Sequence, residues 1–440
     1  MNNRLLHLLR EADWTGGDLA REVNAIAAES GLRLRYQRAS VSQWTAGTRP
    51  RPPVADLVAE ALTRRLGRTV TPEGAGFAAS DPRQAPMPHP RAPLPPGADT
   101  RAYRLADLDG QVWFPSPAPD LPPHGPGGGR LTNRQVACVE RMAAHFSHAD
   151  HLTGSGNSLP GLTSFFTDVV RDWLDAPATP AVRRGMLRAS GRLAYIGGAH
   201  HLDAGRHGAA QHWYRLAATL AHEAGDPRTP AIAARALSVQ AHLLGHHRHS
   251  LLAAERALDL GARLDRTTAA QLVGQHALAL AACGHRDRAL AEILRAERWA
   301  ARSDGHTAPP DDPAGIGVYH PAAFLHQRAE VRARLGDPTG AVADLESSTR
   351  LRPPTEPRSR ALVLARLAEL RLSLGQVDQA CATWTAFLGL AAGMASRRLD
   401  DAAAALRTAL RPHRRHPAAA DLITASYEGR AATAEGRPMR

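Results

Sequence analysis

The sequence predicts an all-α protein in three parts: a small N-terminal helical domain, a Pro-rich linker and a C-terminal solenoid of repeated helix pairs. Three observations carry this. The apolar residues, 43 % of 440, are mostly Ala and Leu, and aromatics make up only 5 %. Small and straight-chain residues favour packed helices, whereas sheets want aromatic and β-branched side chains. Glycines recur at a near-constant interval through the C-terminal half, and fourteen of the 59 residues from 72 to 130 are Pro, a density that neither helix nor sheet tolerates. At roughly 100–200 residues per domain, the chain also exceeds one compact module.

Residues 1–77 read as four or five short helices. Leu5, Leu8 and Leu9 give the first its apolar face. Thr15 caps the second, which turns Leu19, Val23 and Ile26 to one side, and Gly31 ends it. After the connection Leu-Arg-Leu-Arg-Tyr-Gln-Arg, Ser40 stands as the N-cap of a short third helix. Its Val41 and Trp44, three apart, point inward, and Gly47 stops it. The last helix spans residues 54–66. The linker, 78–130, reads as extended and largely disordered, with one apolar island at 103–114 that can dock on an adjoining domain. A helical lead-in follows at 131–182, the repeats at 183–427 and a disordered tail at 428–440.

The repeats are set by Gly205, Gly245, Gly284, Gly336 and Gly375, spaced 40, 39, 52 and 39 residues apart. Five residues after each comes a small one: Ala210, Ser250, Ala289, Ala341 and Ala380. The glycine supplies a left-handed turn between two antiparallel helices, and the small residue lets them approach closely. The longest interval holds an insertion, 303–320, whose Pro and Gly mark a loop. Helix pairs at this period stack into an α-solenoid. The pattern resembles tetratricopeptide repeats. Tyr214 and Trp384 fit the aromatic positions, while Ala254 stands where a larger residue is usual. Counting back from each turn glycine, the inward positions are Arg192, Tyr195, Arg235, His242, Gln271, His326, Glu330 and Glu369. Arg and Tyr toward one end and Glu toward the other suit a peptide held by its termini or charged side chains. A small molecule or a protein partner fits the same wall, and so does a wall that only dimerises the chain.

The N-terminal residues carry a second resemblance. Asp18-Leu19-Ala20, then Ser40-Val41-Ser42-Gln43-Trp44, then Gly47-Thr48-Arg49-Pro50 resemble the helix-turn-helix of the Cro and repressor (XRE) family, with a longer, Arg-rich connection between its two helices. The resemblance implies a second helix lying in the major groove of double-stranded DNA, with phosphate contacts flanking it. It places Arg38, Ala39, Ser42 and Gln43 at the base-facing positions and Thr15, Arg35, Thr48, Arg49 and Arg51 at the phosphates. The charge pattern agrees, for between Gly31 and Arg51 there are five Arg and no acidic residue. Helix-turn-helix, Pro-rich linker and repeats together resemble actinomycete regulators of differentiation and secondary metabolism. That implies an operator-binding transcriptional regulator, and because one module of this size buries little DNA surface, a homodimer on a pseudo-palindrome is expected. The alternative from another class is a protein-protein adaptor built on the repeats, without sequence-specific DNA binding.

Other classes find little support. The net charge of +12 comes from 54 Arg and no Lys, as expected of a GC-rich genome, and it permits a polyanionic partner. Cys138, Cys283 and Cys381 lie far apart, which fits a reducing cytoplasm better than a disulfide framework. The N-terminus shows no signal-peptide core, and no stretch approaches the ~18 apolar residues of a membrane span, so the expectation is a soluble cytoplasmic protein. Among the 22 His, neither Cys138, His145, His148 and His151 nor His246, His247 and His249 offers a clean tetrahedral spacing, so no metal is expected. No nucleotide loop, nucleophile elbow or zinc-protease motif occurs, and Gly154 to Ser158 (GSGNS) reads as a plain Gly/Ser loop. The expectation is a protein with no enzymatic activity and no cofactor.

Overall fold

A computed structural model describes residues 1–77, 101–109, 130–301 and 319–435, and every regular element among them is a helix. The chain divides into two compact units, Met1–Trp113 with Gly205–Trp213 and Phe114–Ala204 with Tyr214–Arg440.

The first unit holds α1 (Asn3–Glu11), α2 (Gly16–Glu29), α3 (Arg38–Ala46), α4 (Val54–Leu66) and the single turn α5 (Ala106–Asp109). Its core is the apolar stripe of each helix: Leu5, Leu19, Val23, Ile26, Val41, Trp44, Leu57 and Leu62 are all buried. Thr15 and Asp18 form a reciprocal capping box at the start of α2. Ser40 does not cap α3. That helix begins three residues earlier, with Gln37 at the N-cap and no side-chain hydrogen bond there. The chain direction is already fixed before Ser40 is reached, because Asn24 of α2 grips the backbone of Tyr36 on both sides. Gly31 and Gly47 close α2 and α3 at φ of 76° and 115°.

Buried Arg64 of α4 joins this unit to the described part of the linker island. It donates to both carboxylate oxygens of Glu29 at 2.9 and 2.7 Å, to Glu60 at 2.8 Å and to the Tyr103 carbonyl at 2.9 Å. Burial works against its charge, but Glu29 and Glu60 outweigh that and raise its pKa. The Tyr103 ring is fully buried and Leu108 is 3 % exposed. The island therefore docks over 103–109, while 110–114 and the rest of the linker before Arg130 lie outside the described residues.

The second unit opens with α6 (Asn133–Thr153), α7 (Ser155–Phe165), a π-helical turn (Phe166–Val170) and α8 (Arg171–Asp175). Antiparallel pairs follow: α9 (Pro180–Asp203) with α10 (His207–Glu223, of which 214–223 belong to this unit), α11 (Arg228–Leu243) with α12 (His247–Leu260), and α13 (Arg266–Ala282) with α14 (Arg286–Ala300). They continue as α15 (Pro321–Arg334) with α16 (Pro338–Leu351), α17 (Pro357–Ser373) with α18 (Val377–Ala391), and α19 (Arg397–Leu410) with α20 (Pro417–Glu435). The five turn glycines have φ between 70° and 84°. The residue five places after each, Ala210, Ser250, Ala289, Ala341 and Ala380, is 0 % exposed. At Ser250 the approach is close enough for its Oγ to reach the Ser238 carbonyl at 2.9 Å while the Ser238 Oγ reaches the Ser250 carbonyl at 2.8 Å. Tyr214, Trp384 and Ala254 are all buried. The last pair lacks the glycine and turns through a short 3-10 segment at Arg411–His413, and α20 runs to Glu435, beyond the expected end of order at 427. The insertion at 303–320 lies outside the described residues up to 318.

Within this unit the row of pairs closes on itself. Arg358, near the start of α17, donates to Asp150 of α6 at 2.5 Å and to Asp203 of α9 at 2.9 Å. All three are buried, and the carboxylates outweigh the cost of burying the guanidinium, raising its pKa. Ser155 and Ser396 donate to the same Asp203 at 2.9 and 2.8 Å. The segment GSGNS is not a loop: only Gly154 breaks the helix, and α7 starts at Ser155. Its glycines are there for contact. A Cβ on Gly154 would lie 2.6 Å from the Ala395 carbonyl, and the Gly156 amide donates to that carbonyl at 2.8 Å. Removing one partner of a buried ion pair leaves an uncompensated charge at a cost of about 3–5 kcal/mol. Arg358→Ala should therefore lower the chemical-denaturation stability of the second unit by about that amount, with Arg397→Ala, an exposed neighbour, changing it little.

Candidate functional site

Two surfaces answer to the sequence-derived site residues, one on each unit. On the first, α2 and α3 form a helix-turn-helix pair. The start of α2 meets α3 where Gly16 lies against Val41, close enough that an added Cβ would sit 3.3 Å from it. Because α3 buries Val41 and Trp44, its opposite face is forced outward, and Arg38, Ala39, Ser42 and Gln43 are all exposed on it. Thr15, Arg35, Thr48, Arg49 and Arg51 are exposed as well.

The long connection before α3 is held extended. Leu32, Leu34 and Tyr36 pack on the core, so Arg33 and Arg35, alternating with them, face solvent. The Asn24 side chain donates to the Tyr36 carbonyl and accepts from the Tyr36 amide, both at 2.9 Å, and the Tyr36 ring meets Trp44 edge-on at 5.1 Å. Sequence reasoning missed Asn24: an Asn inside a helix carries no local sign of a partner twelve residues away. It also missed Asn2, which caps α1, donates to the Ala75 carbonyl at 2.9 Å and ties its own amide to Thr45 of α3 at 2.8 Å.

The charges of this unit are sorted. Arg21, Arg64, Arg68 and Arg104 are ion-paired, and Arg65 bonds a carbonyl and lies over Trp14. Among the described residues, Arg33, Arg35, Arg38 and Arg51 make no ion pair. Thr15 lies at the N-terminus of α2, but its hydroxyl is already committed to Asp18 at 2.5 Å. The groups left to offer an anion there are the amides of Gly16 and Gly17 in the first turn.

On the second unit, the expected wall residues all lie on the first helices of their pairs. Tyr195 of α9 meets Tyr214 at 5.5 Å between ring centroids. Burial raises the Tyr214 pKa, with Tyr195, Arg398 of α19 and Arg235 of α11 as weaker electrostatic influences. His326 of α15 lies in the field of Arg352, Arg398 and Arg366. The expected acidic end is partly offset by one arginine. Arg366 donates to Glu330 and to Glu369 at 3.0 Å each. Arg192 and Gln271 are buried, and His242 packs against His247 at 5.2 Å. Loss of water pulls the pKa of both His242 and His326 down to about 4, with nearby arginines adding to it, although 38 % of the His326 side chain remains accessible.

Neither histidine cluster gathers. His145 packs on Phe146, His246 and His249 stand 6.3 Å apart, and no group of three or more His, Cys, Asp or Glu among the described residues is placed to hold a metal. Ser158 and His200 Nε2 lie 3.0 Å apart, but the His200 ring is fully buried and its Nδ1 bonds the Ile196 carbonyl at 2.9 Å. That pair ties α7 to α9. No described helix is long and apolar enough to cross a membrane.

Comparison with known proteins gives a match over residues 5–78 to the family described as the SP15 N-terminal domain. The matched span is the four-helix module. No curated protein matches the chain. A solved structure titled as Rap protein complexed with competence and sporulation factor is 13 % identical and covers 70 % of this chain and all of its own, at a TM-score of 0.41.

Two outcomes follow from this geometry. Asn24→Ala strips two buried-edge hydrogen bonds from Tyr36. It should cost the first unit about 1–3 kcal/mol and speed hydrogen exchange at the Tyr36 amide, with the α4 amides much less affected. His242 stays neutral in the fold until about pH 4, whereas its unfolded ring takes up a proton near 6.5. The unfolded state therefore binds more protons between those values, and stability falls as pH drops from 6.5 toward 4. Replacing His242 by Gln should flatten that slope in denaturation curves recorded across the window.

Proposed function

We propose that this protein is a sequence-specific DNA-binding transcriptional regulator of the Cro/repressor helix-turn-helix type. Its helical repeats serve as a sensing and dimerising domain for a signal peptide, small molecule or partner protein. One observation supports the reading best. The outward face of α3 presents Arg38, Ala39, Ser42 and Gln43, and four arginines free of ion pairs lie on and around that helix. Arg pairs with G through O6 and N7 and Gln with A through N6 and N7, each worth about 1–3 kcal/mol of discrimination. Arg35, Arg49 and Arg51, with the first-turn amides of α2 beside Thr15, flank the helix as phosphate contacts, and Thr48 completes the set. A module this small buries little DNA surface, so a homodimer on a pseudo-palindrome supplies affinity and spacing together. The protein works in the cytoplasm, and the Lys-free composition suits an actinomycete host.

The test is selection of genomic DNA fragments by the full-length protein at about 150 mM salt, where non-specific phosphate binding is weak. Enrichment of a motif with two half-sites is the expected result. Gln43→Ala should then relax specificity at one base of each half-site. Arg49→Ala should weaken binding to all sequences and reduce the salt slope by about one per protomer. Recovery of no motif, with neither variant altering a nucleic-acid signal, would instead favour a repeat-based adaptor.

A further inference from the structure

A lone exposed leucine is ordinary on a protein surface. Among the described residues of the second unit, Leu152, Leu243, Leu252 and Leu351 are each the only exposed leucine of their helix. Helix α14 is different. It buries Ala289, Ile293 and Ala296 on one side. The opposite side carries Asp287, Leu290, Ala291, Leu294 and Arg298, all exposed and all within roughly a third of the helix circumference. Leu290 is 40 % and Leu294 52 % exposed, one turn apart on that stripe. The repeat makes a direct comparison possible, because Leu294 stands ten residues after its turn glycine. At that place the other four glycine-turned pairs carry Arg215, Glu255, Glu346 and Thr385. Neither Asp287 nor Arg298 makes a hydrogen bond or ion pair among the described residues.

The order of the stripe points to its partner. An acid stands at one end, a base at the other and the leucines between them, so the stripe is complementary to itself turned end for end. On a two-fold axis, Leu290 of one copy faces Leu294 of the other and Asp287 faces Arg298, each contact made twice. A parallel arrangement would instead set Asp against Asp and Arg against Arg. Antiparallel packing also brings opposite ends of the two helix dipoles together, and the small Ala291 lets the helices approach closely. The structure assigns the outer face of α14 to a second copy of this chain, packed with its own α14 antiparallel across a two-fold axis. Two helices of 15 residues, each roughly 22 Å long, form an interface at the small end of the range, so the dimer is weak and reversible. The assignment rests on the dimerising role proposed for the repeats and deepens it by naming the surface.

The test is the mass of the full-length protein without DNA, by analytical ultracentrifugation from about 1 to 200 µM, the range in which small interfaces dissociate. A concentration-dependent equilibrium between monomer and dimer is expected. Leu294→Glu should raise its dissociation constant by about tenfold or more. Leu351→Glu, the same change at an exposed leucine of another helix, should leave it unaltered. Asp287→Arg and Arg298→Asp each set like charges across the axis and should weaken the dimer. The double variant Asp287→Arg/Arg298→Asp restores both pairs in the reverse sense and should recover it. All four positions are exposed, and circular dichroism verifies that each variant remains folded. A chain that stays monomeric throughout, a dimer that Leu294→Glu leaves intact, or a double variant no better than the singles would overturn the assignment. The mass is read apart from DNA selection. A monomer that enriches an operator would sink this interface and keep the regulator reading, whereas this dimer without an operator would do the reverse.

Discussion

The ion pairs of Arg358 with Asp150 and Asp203 decide the form of the second unit. A stack of helix pairs has no intrinsic reason to end against its own beginning, since each pair contacts only its neighbours. Here residues 155 and 208 positions apart in sequence meet through one guanidinium. Ser155, Ser396 and the backbone pairing of Ala395 with Thr153 and Gly156 fill in around that contact. One guanidinium serves two carboxylates away from water, and hydroxyl donors from Ser155 and Ser396 add to what Asp203 accepts.

The first unit depends on a smaller device of the same logic. A connection that is long and Arg-rich between two helices would be free to wander, and a wandering connection cannot set the angle of α3. Alternation solves half of this, with Leu32, Leu34 and Tyr36 inward and the arginines outward. Asn24 solves the other half by occupying both backbone groups of Tyr36, as a neighbouring strand would. The result is a third helix whose exposed face is set by what its other face buries, Val41 and Trp44, rather than by contacts of the exposed residues themselves.

What was legible in the sequence was local. The helix pairs were readable because the turn needs φ > 0 and the crossing needs a small side chain, and both requirements leave a mark at fixed spacing. The outward face of α3 was readable because its inward face is apolar at helical spacing. Ser40 misled because a capping residue type is only a local preference, and here Asn24 had already placed the helix start. GSGNS misled for the converse reason. Glycines there answer a backbone from residue 395, not the needs of a loop. Arg358, Asp150, Asp203 and Arg398 left no trace at all, since a charged residue inside a helix looks the same whether its partner is three or two hundred positions away. Arg366, which bonds both Glu330 and Glu369, was invisible for the same reason.

Closure and charge act on each other. Asp150 and Asp203 bring two negative charges to the clasp and Arg358 brings one positive charge, so the contact keeps an excess of negative charge away from water. Arg398 of α19 lies in the field of both carboxylates and offsets part of that excess. Because an unbalanced buried charge is costly, a closing contact of this kind depends on every one of its partners.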